Sequence, residues 1–371
     1  MKLVKYTTLL VASMIATITP HHASADFVVG IAGPLTGNVA LNGEQQDLGA
    51  QRAVLDLNEA GGLLGEQVTI VSVDDACDVD QAIAAAKQLV AAKVNLVIGH
   101  LCSRTSIAAS EVYDAAGIVM ISPASTNPSV TERGLPGVFR TIGRDDDQAA
   151  VAATFIMKNF QDRSVALLHD GNTYGKGLVE GVKAELNAAG KSEVLLSAFE
   201  ADKESYANSI QEIIAAGADV VYAVSNAVND AALLTRQLKE KLPNATMISA
   251  DAMAGDGFSL IAGDSAEGTY FTFGPDQRRA PLAQEVVARF RDEEAYEPEG
   301  YTLYSYAAVQ AWAGAVEKAG SEASDDVISA LRSGKFSTVI GDIGFDSKGD
   351  VTGVSNFVMY VWGAEDYAEV N

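Results

Sequence analysis

The stretch Asn95-Leu96-Val97-Ile98-Gly99-His100-Leu101-Cys102-Ser103 decides how this chain is read. An apolar run ends in a short polar turn, and about twenty residues on the pattern recurs in Ile121-Ser122-Pro123-Ala124-Ser125-Thr126. Both segments read as strands that spill into loops. In an α/β sheet, small ligands bind at the carboxyl ends of parallel strands. Around these two stretches apolar strands alternate with amphipathic helices almost throughout, the pattern of mostly parallel sheets flanked by helices.

The first strand is Phe27 to Ile31, and a helix follows from about Asp47 with Ala50, Ala53, Val54 and Leu57 on one face. Gly61-Gly62 ends it as a C-terminal glycine signal. Next come a strand from Val68 to Val73, a helix near Asp80 to Ala92 and the strand Leu96 to Ile98. A helix from Ser103 to Ala116 and a strand from Ile118 to Ile121 complete a first α/β unit. A second starts after Arg140-Thr141-Ile142-Gly143, with strands at Val165 to Leu168, Val194 to Leu196, Val220 to Val224 and Met247 to Ser249. Beyond Thr269 to Phe273 helices dominate, around Leu282 to Glu294 and Tyr304 to Lys318. A turn-rich segment, Gly341 to Asp350, and a strand from Phe357 to Val361 close the chain.

The N-terminus reads as an export signal. Lys2 and Lys5 precede the mostly apolar Tyr6 to Ile18, and Ala23-Ser24-Ala25 supplies the small residues a signal peptidase recognises. Cleavage after Ala25 makes 1–25 the signal peptide, sends the protein to the periplasm and leaves 346 of the 371 residues. That length calls for two domains, because single cores stop growing near ~250–300 residues. The formal net charge is −23, or about −25 without Lys2 and Lys5. So acidic a chain is not a nucleic-acid binder, since phosphate contacts need clustered Lys and Arg. Cys77 and Cys102 are the only cysteines, and in an exported protein such a pair closes as a disulfide. Their loop is worth about 3–4 kcal/mol by chain entropy. A metal or redox role lacks both a Cys-x-x-Cys spacing and a third ligand.

The two strand ends carry the chemistry. Ser103 is placed to cap its helix, whose exposed N–H groups and dipole suit a carboxylate. Pro123 stops the next strand, leaving the Ala124 carbonyl for an ammonium and the Thr126 hydroxyl and N–H for a carboxylate. Together they suit the zwitterionic head of an amino acid. Catalysis finds no support: Gly-x-Ser-x-Gly, His-Glu-x-x-His and a glycine-rich phosphate loop are all missing from the sequence. After the signal only His100 and His169 remain, and both read as structural. Asp74 and Asp75 are adjacent on a strand and so point to opposite faces.

The order of these motifs closely resembles the periplasmic leucine/isoleucine/valine-binding proteins of bacterial ABC importers. The anchors are the loop Gly33-Pro34-Leu35-Thr36-Gly37, the two strand ends, His169-Asp170-Gly171-Asn172-Thr173-Tyr174-Gly175, Ile248-Ser249-Ala250-Asp251 and Phe345-Asp346-Ser347-Lys348-Gly349-Asp350. The resemblance implies an α/β, type I periplasmic binding protein fold, two doubly wound lobes joined by a three-crossover hinge. Lobe one holds 26–144 and 275–354, and lobe two holds 145–274 and 355–371. It implies a head-group site at Ser103, Ala124 and Thr126, with Asp251 completing the ammonium site where the family usually has the longer Glu. Tyr174 walls the cleft from lobe two, and Tyr301 covers the ligand. Asn42 and Asn226 stand where the family carries aromatic residues; if they face the cleft, either they make the pocket wetter and wider and favour polar ligands over branched aliphatic ones, or the amides bind trapped water and leucine still fits. The implied function is amino-acid capture for an ABC permease of the inner membrane, by a monomer that needs no cofactor and no metal. The alternatives are a polar amino acid, an amide or another small carboxylate as ligand, or a sensor that presents its ligand to a receptor.

Overall fold

The computed structural model describes residues 27–354 and 357–370, so the signal segment and its cleavage point lie outside the described residues. In chain order the first strands are β1 (Phe27–Gly33), β2 (Val68–Asp74), β3 (Leu96–Gly99), β4 (Val119–Ser122) and β5 (Val138–Arg140). They form a parallel sheet in the order β2-β1-β3-β4-β5. The decisive stretch therefore lies at the sheet's centre. Every residue of β3 and β4 is buried, which is why both read as unbroken apolar runs. Helices α1 (Ala40–Glu59), α2 (Val79–Ala91) and α3 (Ser103–Ala116) connect these strands.

The second sheet takes β6 (Val165–His169), β7 (Leu195–Ala198), β8 (Val220–Val224), β9 (Thr246–Ser249) and β10 (Tyr270–Phe273). Its helices are α4 (Asp145–Phe160), α5 (Thr173–Ala188), α6 (Ala207–Ala216), α7 (Val228–Lys241) and α8 (Asp256–Ala262). The chain then returns to the first sheet through α9 (Gln284–Glu294), α10 (Thr302–Ala319) and α11 (Ser324–Ser333). A small antiparallel sheet follows, from β11 (Phe336–Thr338), β12 (Gly341–Phe345) and β13 (Val351–Thr352). Finally β14 (Val358–Trp362) and β15 (Tyr367–Glu369) add antiparallel strands to the second sheet, whose order is β15-β14-β10-β9-β8-β6-β7. The chain thus passes between the two sheets three times: between Arg140 and Asp145, between Phe273 and Gln284, and between Thr352 and Val358.

Two differences from the sequence reading bear on the site. Helix α1 begins at Ala40 rather than near Asp47. Its first turns bury Asn42, Gln45 and Gln46, polar residues that give no apolar stripe to read. Ser103 is the first residue of α3 and not its cap; the cap position is Cys102, whose sulfur is bonded to Cys77 with 5.7 Å between the Cα atoms. The Ser103 hydroxyl is instead turned to the neighbouring strand end, where it accepts from the Asn127 N–H at 3.3 Å.

One buried cation fixes that strand end. Arg140, fully buried on β5, donates to the carbonyls of Ser125 (2.8 Å) and Asn127 (3.1 Å) and to the Thr131 hydroxyl (2.6 Å). Its charge is met by Asp350, at 2.7 Å, which also pairs with Arg144 at 2.9 Å. The tight turn Asp346–Asp350 delivers that carboxylate: Asp346 accepts from the N–H groups of Lys348, Gly349 and Asp350. Gly349 sits at φ 103°, where a side-chain Cβ would lie 2.1 Å from the Val138 carbonyl, so only glycine lets the turn lie on β5.

Burial, the largest single influence, would raise the Asp350 carboxyl, but the Arg140 charge, the Thr131 hydroxyl and Arg144 together outweigh it and hold the group below the ordinary carboxylate range. A carboxyl depressed on folding contributes stability above its unfolded pKa of ~4 and loses it as pH falls through the folded value. Asp350→Asn leaves Arg140 without its counter-charge, so it is expected to cost about 3–5 kcal/mol at neutral pH in urea unfolding. The gap to wild type should narrow as the pH is lowered through ~4 and below. A gap that stays constant over that range would contradict the pairing.

Candidate functional site

The carboxyl ends of the two sheets face each other, and a carboxylate lies sealed between them. Asp251 follows β9 and is 2 % exposed. Its Oδ1 accepts from the Tyr174 hydroxyl on α5 and from Gln148 Nε2 on α4 at 2.8 Å. Its Oδ2 accepts from the Tyr301 hydroxyl, just before α10, at 2.6 Å. Burial raises this carboxyl, and the three donors work against that rise. Burial, with Asp251 beside them, holds both tyrosines well above the usual phenol value, so they remain donors. Tyr301 belongs to the return segment and Tyr174 to the second sheet, so this one carboxylate ties the two halves together.

The loop after β4 faces it. Ala124 is buried, its N–H within 3.4 Å of the Ser122 hydroxyl. Thr126 is fully buried; its carbonyl accepts from the Asp145 N–H at 3.0 Å, and its hydroxyl, beside the Asp145 carboxyl, makes no hydrogen bond of normal geometry. An unsatisfied buried hydroxyl costs about 1–3 kcal/mol, so it needs a physical reason, and a ligand is one.

The walls are joined by further contacts across the cleft. Asn42 Nδ2 donates to the Ala252 carbonyl, next to Asp251, and Gln45 Nε2 donates to the Ala254 carbonyl, both at 3.2 Å. Asn127 Nδ2 donates to the Thr173 carbonyl at 3.2 Å, and Arg104 donates to Asn172 while also holding the Cys77 carbonyl at 2.8 Å. Nearer the rim Asn38 donates to Asp230 at 3.0 Å and accepts from Asn229 at 2.8 Å. The structure is that of a closed cleft. Asn226 stands at the end of β8 with its N–H on Asp170 Oδ2 at 2.9 Å.

Of the residues named from the sequence, Tyr174 and Tyr301 meet on Asp251 and Asn42 reaches the residue beside it, Ser103, Ala124 and Thr126 lie together at the neighbouring strand ends, and Asn226 is held beside Asp170. The sequence reading missed Asp145, Gln148 and Tyr222. Gln148 looks like an ordinary helix residue, and Asp145 opens Asp145-Asp146-Asp147, which reads as solvated charge at a helix start. Tyr222 sits inside an apolar strand. The histidine reading was structural: His100 Nδ1 lies 2.5 Å from Asp75 and Nε2 lies 3.0 Å from the Tyr113 hydroxyl, all buried behind the site.

The family described as "Periplasmic binding protein" matches residues 27–366. The chain belongs to that family. It is similar to an "Amino acid binding protein" of Pseudomonas aeruginosa, 44% identical over 344 residues, covering 92% of this chain and 91% of that one. It is also similar to "Leu/Ile/Val-binding protein homolog 1" of Brucella suis, 42% identical over 341 residues with 92% and 91% coverage. Among solved structures, a leucine-binding protein from Thermotoga maritima shares the fold at TM-score 0.86 and 24% identity, covering 93% of this chain and 98% of that chain. An ABC transporter substrate-binding protein from Desulfitobacterium hafniense in complex with Leu matches at TM-score 0.74 and 25% identity, covering 93% and 100%. The fold is the type I periplasmic binding protein fold read from the sequence.

The Asn42 amide reaches backbone across the cleft, and a net hydrogen bond of this kind contributes about 1 kcal/mol. Asn42→Ala is therefore expected to weaken every ligand by about fivefold in calorimetric titration and leave their ranking unchanged. A reordered ranking would place Asn42 on the ligand itself.

Proposed function

We propose that this chain is the substrate-binding protein of an ABC importer and captures a free amino acid by its α-ammonium and α-carboxylate as two lobes close on it. The observation that carries this reading is the Thr126 hydroxyl, buried and without a well-formed hydrogen bond in a cleft that also holds Asp251. Ser103, Ala124 and Thr126 hold the head group on lobe one, formed by 26–144 and 275–354. Asp251 and Tyr174 reach it from lobe two, 145–274 and 355–371, with Tyr301 closing over it. Contacts made by both lobes exist only in the closed form, so the ligand stabilises closure by that differential affinity. Binding, not catalysis, is the task.

The names of the relatives support a branched-chain ligand. A second reading, a polar amino acid or amide, is favoured by Asn42 Oδ1, which is buried without a donor. The Lys2 to Ala25 pattern supports export to the periplasm with cleavage after Ala25. There the closed monomer docks on an inner-membrane permease.

A thermal-shift screen of the refolded, ligand-free mature protein against the common L-amino acids tests this. A binder raises the melting temperature by mass action. Leucine, isoleucine and valine are expected to give the largest shifts, and Thr126→Ala should weaken every one of them more than tenfold, as it removes a partner from a desolvated charge. Larger shifts from polar amino acids would move the ligand to the second reading. No shift from any amino acid would contradict the head-group site.

A further inference from the structure

Among the groups that reach across the closed cleft, Asn38, Asn42, Gln45 and Asn127 are neutral amides, and Arg104 is a cation. Arg104 lies in the first turn of α3, beside the first sheet, and is only partly buried. Its guanidinium is held from its own side. Nε donates to the Cys77 carbonyl at 2.8 Å, and Nη2 lies 3.7 Å from the Cys77 sulfur, which is bonded to Cys102. That carbonyl has a fixed direction. Ala76 and Cys77 both take left-handed backbone angles, φ 46° and 56°, which residues with side chains keep only when their surroundings impose them. Asp74 and Asp75 impose them here, accepting from the N–H groups of Ala76 (2.8 Å) and Cys77 (2.7 Å). From this anchor Nη1 donates to Asn172 Oδ1, in the loop after β6 of the second sheet.

Asn172 is oriented as firmly. Its Nδ2 donates to Asp170 Oδ2 at 2.9 Å and its N–H to Asp170 Oδ1 at 3.0 Å, which leaves its own oxygen aimed at Arg104. The amide lies between a cation and a carboxylate, and each polarises it toward the other. The buried Asp170 also accepts from the Asn226 N–H. By contrast, the Asp230 carboxylate that Asn38 reaches already has the Ser225 and Tyr206 hydroxyls and the Asp202 N–H from its own half, so that contact adds little.

We propose that Arg104 is a clasp: it closes on Asn172 only when the two halves meet, and it sets the strength of capture by the same factor for every ligand. This rests on the reading of capture by closure given above and adds a residue that acts without touching the ligand. Both ends are held in advance, so closing the clasp gives up little side-chain freedom. A hydrogen bond from a charged donor is also stronger than one between neutral groups. On opening, the partly buried Arg104 and Asn172 pass to water and leave no buried group unsatisfied. Such a contact slows the reopening of the cleft and leaves the first encounter with the ligand unchanged.

The test measures L-leucine, L-valine and L-glutamine on the mature protein by calorimetric titration, and their release by stopped-flow fluorescence. Arg104→Gln and Asn172→Ala are each expected to weaken every bound amino acid about tenfold through faster release, and the double variant hardly more than either alone. In urea unfolding of the ligand-free proteins, where the clasp is open, the two substitutions should instead add independently. Coupling of equal size in unfolding would make the pair an ordinary structural contact and overturn the proposal. So would a loss carried by slower association, or one that reorders the three ligands. Should Arg104→Gln not fold, Asn172→Ala alone decides, since full affinity in that variant overturns the clasp while the amino-acid reading stands. Wild type that binds none of the three overturns the reading and the clasp with it.

Discussion

The structure is organised around a carboxylate that must not be left alone. Asp251 is taken out of water between two sheets and held by donors from both sides, Tyr174 and Gln148 on one and Tyr301 on the other. A buried charge is tolerated only when its oxygens are hydrogen-bonded and a counter-charge is near. The donors are present in the protein, and on the proposed function the counter-charge comes from the ligand's ammonium. On that function the groups that hold the ligand also report its arrival, because their satisfaction and the closed geometry are one condition.

The opposite wall is kept rigid by a separate buried charge. Arg140 grips the carbonyls of Ser125 and Asn127 and so sets the position of Thr126 between them. Its own partner, Asp350, comes from a turn more than two hundred residues further along the chain. Cys77 and Cys102 pin the other strand end, immediately before Ser103. Both strand ends of the proposed head-group site are thus fastened to the first sheet by a buried ion pair and a disulfide.

Much of this was legible in the sequence, and the reason is physical. Strands such as Leu96–Gly99 are buried on both faces and so appear as unbroken apolar runs, and the loops at their carboxyl ends are where such sheets bind ligands. The start of α1 was not legible, because Asn42, Gln45 and Gln46 are buried against the opposing half rather than in an apolar core. Ser103 was misplaced by one position because a cysteine took the cap. Asp145 was invisible for a different reason. Three consecutive aspartates at a helix start look like solvated charge, and only the closed fold sets the first of them apart, buried against Thr126.

The central claim is that an amino acid shuts the cleft. Small-angle X-ray scattering of the mature protein, freed of ligand and then saturated with L-leucine, tests it most directly. The account requires a smaller radius of gyration with leucine, and a saturated profile that agrees with the closed structure described above. An unchanged profile, with leucine shown by calorimetry to be bound, would contradict closure as the means of capture.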